Sequence, residues 1–214
     1  MTDEWNAEEE LKPLEIKCTS TDCQNNLHCF LQDKRKKNVN QPFGSCRECG
    51  ADLVDWERVH KRDLSDVQNT FQALKYEKIR HHYWHLEIDQ KAINHARRKG
   101  KIKLREAVVQ RISKSVGSAQ NYNEGRQTPK ENSGNSIYYA QHATACCCRK
   151  CIEYWHQIPQ GRDLTVTEIE YLTNLVMLYI EERLPKLTEN GEKVPRIPNK
   201  NPRSSSKTKE EQKL

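Results

Sequence analysis

All nine cysteines of the 214-residue chain lie in two short regions, and this clustering limits the possible folds more than any other feature. Five lie between residues 18 and 49, and four lie in HATACCCRKCIEYWH, residues 142–156. The hydrophobic fraction is only 35% and the mean hydropathy is -1.00, so the chain has little material for a large apolar core. Clustered cysteines in a reducing compartment favour metal binding over disulfides, and a bound metal stabilises a small core.

The start of the chain and its hydropathy indicate where the protein resides. No stretch approaches the roughly 18 consecutive apolar residues of a membrane-spanning helix. The opening MTDEWNAEEE is acidic and lacks the basic and apolar regions of a signal peptide. We therefore expect a cytoplasmic protein with no membrane partner and with reduced cysteines.

The first cluster is CTSTDCQNNLHCF together with the later CRECG. A C-x2-C pair followed by glycine indicates a zinc knuckle, in which a tight turn directs backbone N–H groups towards the thiolates. The spacing predicts a small zinc ribbon with ADLVDW as its last strand, although CRECG could also be a chance pair in a loop. The expected ligands are Cys18, Cys23, Cys46 and Cys49, with His28 and Cys29 as alternatives.

The second cluster has the spacing of a different zinc motif. Cys148, Cys151 and His156 match the first three ligands of a retroviral-type zinc knuckle, but a glycine stands where the fourth ligand should be. The nearest other donors are His142 and Cys147, so all five residues are metal-ligand candidates. Buried free thiols and a redox site are the alternatives. A zinc deaminase is excluded because HAT lacks the required glutamate and no proline precedes the C-x-x-C pair.

Helical periodicity dominates the rest of the chain. Apolar residues recur at helical spacing over 64–85, and two further helical segments follow, broken at Gly100. GRDLTVTEIEYLTNLVMLYIEERLP predicts a helix of about 17 residues that starts at a capping box formed by Thr167 with Glu170, or alternatively by Thr165 with Glu168. The predicted fold is α+β but mainly α, with a small N-terminal zinc ribbon followed by a helical domain rich in Cys and His.

His81 and His85 share one face of the first of these helices, as metal-binding histidines do in zinc proteases. The position that would hold the general-base glutamate is His82, so the protease hypothesis fails. We interpret the pair as the end of an amphipathic helix, where the helix dipole favours histidine.

Charge and composition divide the chain into five predicted segments. These are an acidic disordered N-terminus (1–12), a zinc-ribbon-like module (13–60), a helical segment (61–120), a Cys/His metal-binding domain (121–184) and a basic disordered tail (185–214). The net charge is +6, and residues 11–184 carry about +7 once the acidic start and the basic tail are removed. A basic body favours a polyanionic partner. The densest basic run, and the predicted nucleic-acid contact, is Arg97, Arg98, Lys99, Lys101, Lys103 and Arg105, although a solvated helix face explains such a run equally simply.

GRQTP followed by YAQHATACCCRKCIEYWHQIPQGRDLT resembles the bacterial family known as domain of unknown function 4186, over about residues 90–184. The family pattern is a (D/N)GKQTP motif, then AQHAT, two cysteines, a third cysteine three residues further on, and WHGIPKGR-LT. Cys146, Gln157 and Glu124 depart from it. The resemblance implies one structural unit and no particular activity. The matching positions are Gln127, Thr128, Pro129, Gln141, His142, Cys147, Cys148, Cys151, Trp155 and His156.

Three functions agree with these features. The first is a non-enzymatic protein that binds one or two Zn²⁺ ions and contacts nucleic acid through its basic surfaces. The second is a metal-dependent hydrolase or nuclease centred on the second cluster, with Glu153 or Glu124 as base and Gln127 and Thr128 as substrate contacts. The third is a zinc-stabilised assembly subunit with protein partners. The predicted zinc ribbon, the basic run over 97–105 and the basic tail favour the first.

Overall fold

The structure is a computed structural model that describes residues 16–31, 43–119, 134–195 and 197. It is mainly helical, which confirms the predicted class. The helices are α1 (Trp56–His60), α2 (Val67–Leu74), α3 (Lys78–His85), α4 (Gln90–Ser115), α5 (Ser136–Ala143), α6 (Arg149–His156) and α7 (Val166–Arg183). In the same residues β structure is limited to two isolated bridges, so a zinc ribbon is only weakly indicated. ADLVD, predicted as a strand, is irregular and leads into α1.

Helix α7 lies at the centre of the fold and packs against α2, α4 and α5. It starts at the alternative predicted capping box, on Thr165 and not on Thr167: the Glu168 amide donates to the Thr165 hydroxyl, and the Thr165 amide donates to the Glu168 carboxylate. Leu172, Val176 and Tyr179 are fully buried along its length. In the described part of the chain no helix, α7 included, is long and apolar enough to span a bilayer.

Helix α4 is interrupted at Gly100, as predicted, where φ is 67° and ψ is 174°. The segment after α7 crosses α4 at this point, and the Lys101 amide donates to the Thr188 carbonyl over 2.9 Å. A Cβ atom on Gly100 would lie 2.3 Å from the backbone of Asn190, so only glycine fits there. Residues 188–192, within the predicted tail, are therefore packed on α4.

The single helix predicted over 64–85 is two helices, α2 and α3, separated by a turn. The His28 backbone pairs with this turn: its amide donates to Tyr76 O and its carbonyl accepts from Lys78 N, both over 2.8 Å. Because the N-terminal segment satisfies these backbone groups, the chain need not continue the helix between α2 and α3.

The N-terminal segment packs directly on the helices. The buried Phe30 ring lies 5.8 Å from the Trp56 ring and 6.0 Å from the Trp155 ring, centroid to centroid. One apolar cluster includes residues from all three segments predicted between residues 13 and 184. The predicted segments therefore share one core.

Candidate metal centre

Four metal-binding side chains come together in site 1, which we define as Cys23, His28, Cys46 and Cys49. Their ligand atoms all lie within 4.8 Å of one another. The Sγ atoms of Cys23 and Cys46 are 3.7 Å apart, and Cys49 Sγ lies 3.4 Å from His28 Nδ1. Sulfur and nitrogen ligands of a tetrahedral zinc ion are about 3.5–3.8 Å apart, so the residues fit one such ion.

The Cys46 turn has the features of the predicted zinc knuckle. The Gly50 amide donates to the Cys46 carbonyl over 2.9 Å, and Gly50 takes a left-handed φ of 76°. Burial opposes ionisation of Cys46, but backbone hydrogen bonds, among them those of Cys49 and Cys29, outweigh it and lower the pKa of this thiol to about 6. The turn thus prepares Cys46 to bind metal as a thiolate.

His28 is oriented by a neighbouring side chain. Its Nε2 atom lies 3.0 Å from Asn26 Oδ1. Because an amide oxygen only accepts hydrogen bonds, Nε2 carries the proton, and the lone pair of Nδ1 faces Cys49. Asn26 has a left-handed φ of 57°, a conformation that asparagine adopts more readily than most residues. Its role was not predicted, and its only signal in the sequence is an asparagine within a polar, turn-forming stretch.

Site 1 contains three of the four predicted ligands. The fourth, Cys18, lies elsewhere, and its position is taken by His28, the alternative donor. The 3₁₀ turn at Cys23–Asn25 and its left-handed cap, Asn26, reverse the chain, so the residues after the turn come back towards Cys23. Cys18 precedes the turn, and this reversal therefore does not bring it to site 1. Cys29, the other alternative, is buried, and its thiol donates to the Cys18 carbonyl over 3.2 Å.

Three cysteines of the second cluster form site 2, defined as Cys147, Cys148 and Cys151, with ligand atoms within 4.8 Å of one another. Cys148 is the N-cap of α6, and its Sγ accepts a hydrogen bond from the Cys151 amide over 3.4 Å. The positive end of a helix dipole favours thiolates, so the start of α6 suits a group of metal-binding cysteines.

A buried ion pair supports site 2. Arg80 lies 2.8 Å from Glu77, and both side chains are almost fully buried, with 2% and 1% exposure. The Arg80 guanidinium also donates to Cys151 Sγ over 3.2 Å and approaches Cys147 Sγ at 3.9 Å. Hydrogen bonds from Cys147 and other thiols, together with the Arg80 charge, lower the pKa of Cys151 well below its usual value. Neither Arg80 nor Glu77 was predicted, because nothing in the local sequence marks them as buried.

The two predicted histidine ligands lie outside site 2. The fully buried His156 has its Nε2 atom 3.2 Å from the Thr144 carbonyl and its Nδ1 atom 3.3 Å from the Tyr171 hydroxyl. Burial lowers its pKa to about 3, so it is a neutral histidine of the core. The His142 ring stacks on Tyr83, with centroids 4.4 Å apart.

Half of the predicted basic run is paired within the protein. Arg97 lies 2.7 Å from Glu192, Lys101 lies 3.2 Å from Glu189, and Arg105 donates to a side-chain amide of α7. The neutralising acids come from the segment that crosses Gly100, about 90 residues later in sequence, so they were not expected. Within the described ranges no ion pair is formed by Arg98, Lys99 or Lys103.

Of the remaining predicted positions, those that the structure describes belong to neither site 1 nor site 2. Gln127, Thr128 and Glu124 lie outside the described residues. The Glu153 carboxylate accepts a hydrogen bond of 2.6 Å from Gln160. The rings of His81 and His85 are 4.0 Å apart, and neither belongs to site 1 or site 2.

Comparison with known families agrees with the resemblance seen in the sequence. A family model described as "Domain of unknown function (DUF4186)" matches residues 68–181, slightly more than half of the chain. The match includes site 2 and all of α4, whereas site 1 precedes it. No solved structure matches the chain.

Proposed function

Because this chain belongs to the DUF4186 family, whose description carries no activity, we propose a function from its own residues: it is a zinc protein in which the metal is structural and nucleic acid is the partner. Site 1 carries the proposal. Its three sulfurs and one imidazole form a complete tetrahedral set, which leaves no position for water or substrate. Thiolate and imidazole together suit zinc better than they suit magnesium or calcium.

A metal-dependent hydrolase has less support. Such an enzyme needs a ligand position open to water and a base beside it. The predicted base Glu153 is hydrogen-bonded to Gln160. The two histidines that were predicted as ligands lie outside site 2, and both ring nitrogens of His156 are hydrogen-bonded to other groups.

The nucleic-acid proposal rests on a smaller set of cations than the whole basic run. Arg98 and Lys103 are exposed and Lys99 is half-buried, and none of the three forms an ion pair in the described residues. Lys and Arg side chains that are not neutralised internally are the ones that can release counterions from a phosphate backbone. The proposed contact surface is therefore Arg98, Lys99 and Lys103 on either side of the kink at Gly100.

Two triple variants from the same run test this surface. The first changes Arg98, Lys99 and Lys103 to Gln, and the control makes Arg97→Gln, Lys101→Gln and Arg105→Gln. Both remove three positive charges. Those of the first variant have no ion-pair partner in the described residues, whereas in the control Arg97 and Lys101 are ion-paired and Arg105 is held by a hydrogen bond to Asn174. Binding of labelled duplex DNA and single-stranded RNA is measured by fluorescence anisotropy between about 50 and 200 mM salt.

The first variant should bind more weakly than the control, and its log–log salt slope should fall by about three. The control should lose affinity to a smaller extent. Absence of binding by the unmodified protein near 50 mM salt would contradict the proposal, and so would equal losses in the two variants.

A further inference from the structure

Cys18 lies beside site 2, although it belongs to the N-terminal segment. Its thiol interacts with Cys151, which also interacts with Cys147 and Cys148. Three thiols therefore converge on one sulfur atom, and the Arg80 guanidinium approaches that same sulfur at 3.2 Å. The sulfur atoms of Cys147, Cys148 and Cys151 lie within 4.8 Å of one another; Cys18 lies outside that set and adds a fourth sulfur through its contact with Cys151.

Independent contacts hold Cys18 in this position. Its carbonyl accepts the hydrogen bond from Cys29, whose side chain is fully buried, and Phe30 follows in the core. Two residues earlier, Ile16 packs against the same apolar cluster. The backbone on both sides of the Cys18 thiol is therefore anchored to the core.

We propose that Cys18 is the fourth ligand of site 2, which then binds one zinc ion through four thiolates. The inference rests on the metal binding proposed above. Three thiolates leave one tetrahedral position, and Cys18 is the donor that reaches it. Two nearby alternatives are engaged by other groups: the Cys146 thiol donates to Thr144 O over 3.2 Å, and both ring nitrogens of His156 have partners. The ring of a third, His142, stacks on Tyr83.

The surroundings suit a site with excess negative charge. Each thiol releases its proton when it binds, so four thiolates and one divalent ion carry a net charge of -2. Donors point towards the sulfurs from two directions: the Arg80 guanidinium faces Cys147 and Cys151, and the Cys151 amide faces Cys148. Such donors to sulfur stabilise metal-bound thiolates.

In this assignment all ligands of site 1 lie, along the sequence, between the first ligand of site 2 and its other three. Cys18 belongs to site 2, the ligands of site 1 follow, and the other ligands of site 2 come about 100 residues later. The His28 backbone and the Arg80 side chain are both held by the α2–α3 region, so the two sites share a support. A metal in site 2 therefore fastens the N-terminal segment to the part of the chain that the family model matches.

Cobalt substitution of the full chain tests the assignment, because Co²⁺ occupies tetrahedral zinc sites and its charge-transfer absorbance reports bound thiolates. The metal-free, reduced protein is titrated with Co²⁺ as the unmodified chain, Cys18→Ser, Cys18→His and the control Cys146→Ser. Cys146 is a buried neighbour of site 2 whose thiol has a backbone partner instead.

The unmodified chain should bind two Co²⁺ ions with absorbance from seven thiolates. Cys18→Ser should lose one thiolate and bind its second ion more than about tenfold more weakly. Cys18→His should keep two ions, with the loss of one thiolate and a shift of the visible bands. Cys146→Ser should match the unmodified chain.

The outcomes separate this inference from the proposed function. If Cys18→Ser retains the full charge-transfer absorbance and both affinities, Cys18 is not a ligand, while metal binding by the protein stands. If the unmodified chain binds Co²⁺ only in site 1, the inference about site 2 is overturned. If it binds no Co²⁺ at all, the proposed zinc function fails.

Discussion

Replacement of Arg80 by methionine should be among the most damaging single changes in the protein. The Arg80 and Glu77 side chains are buried, and Arg80 also donates to the His142 carbonyl over 2.7 Å and to Cys151 Sγ. Arg80→Met leaves the Glu77 carboxylate buried with the Trp155 indole as its remaining donor, 2.7 Å away. Removal of one partner of a buried ion pair costs about 3–5 kcal/mol of folding free energy.

Urea unfolding followed by circular dichroism measures this cost. The free zinc concentration must be buffered at one value, because metal binding to the folded state adds to the apparent stability. Arg58→Met is the matched control: it breaks an ion pair with Asp66, but that arginine is 51% exposed, and it should cause no measurable loss. The double variant Glu77→Gln/Arg80→Met should recover part of the loss, because no buried charge remains unpaired.

The loss should also depend on pH. Burial raises the pKa of Glu77 above its ordinary value of 4.5. When the folded pKa of a carboxyl exceeds its unfolded pKa, the folded state is favoured at low pH and loses stability as pH rises above the unfolded value. The Arg80 charge lowers the pKa of Glu77, so Arg80→Met raises it further. The variant should therefore keep losing stability with rising pH after the unmodified protein has stopped doing so, by up to about 1.4 kcal/mol per pH unit. A variant as stable as Arg58→Met, with no pH dependence, would refute the role assigned to the buried pair.

Three further predictions concern other parts of the molecule. The pKa of His156 is about 3 in the folded protein against 6.5 in the unfolded chain. The free energy of unfolding should therefore fall as pH drops from 6.5 towards 3, by up to about 1.4 kcal/mol per pH unit. In urea titrations His156→Gln should flatten this pH dependence. Gly100→Ala should lower the free energy of unfolding by more than about 2 kcal/mol. The control Gly161→Ala adds a Cβ with no atom within 4 Å and should change it by less than about 0.5 kcal/mol. Equal effects would contradict the crossing of the two segments at the kink. Asn26→Gly allows the same left-handed backbone but removes the oxygen that accepts the hydrogen bond of His28. Competition with a chromophoric chelator should show that the metal affinity of site 1 falls about 10–100-fold. An unchanged metal affinity would contradict the orienting role of Asn26.

Local signals in the sequence predicted much of the fold. The capping box at Thr165, the apolar stripe of α7 and the break at Gly100 each depend on residues within a few positions of one another. The knuckle around Cys46 and Cys49 is local in the same way. These features could be read directly because their physical cause lies within one turn of the chain.

Non-local pairing explains most of what was not predicted. The break between α2 and α3 depends on the His28 backbone, and the neutralisation of the basic run depends on Glu189 and Glu192. The exchange of Cys18 for His28 in site 1 depends on how the 3₁₀ turn reverses the chain. Spacing alone cannot report such contacts.

The assignment of His156 as a ligand shows how a motif can mislead. The C-x2-C-x4-H spacing belongs to a knuckle with an irregular backbone, whereas here Cys151 and His156 lie on the same helix, α6. Five residues of α-helix rotate a side chain by about 140° from its starting direction. Cys151 can therefore face site 2 only while His156 faces the core, where Thr144 and Tyr171 bind it.

The central claim is that bound metal holds this fold together, and metal analysis combined with chelation tests it most directly. The reduced, purified protein is analysed for zinc per chain, and its circular dichroism is recorded before and after exhaustive chelation. The account predicts two zinc ions per chain and loss of the cooperative fold when both are removed. A protein that contains no metal as purified and keeps its helical spectrum and its cooperative unfolding after chelation would contradict it.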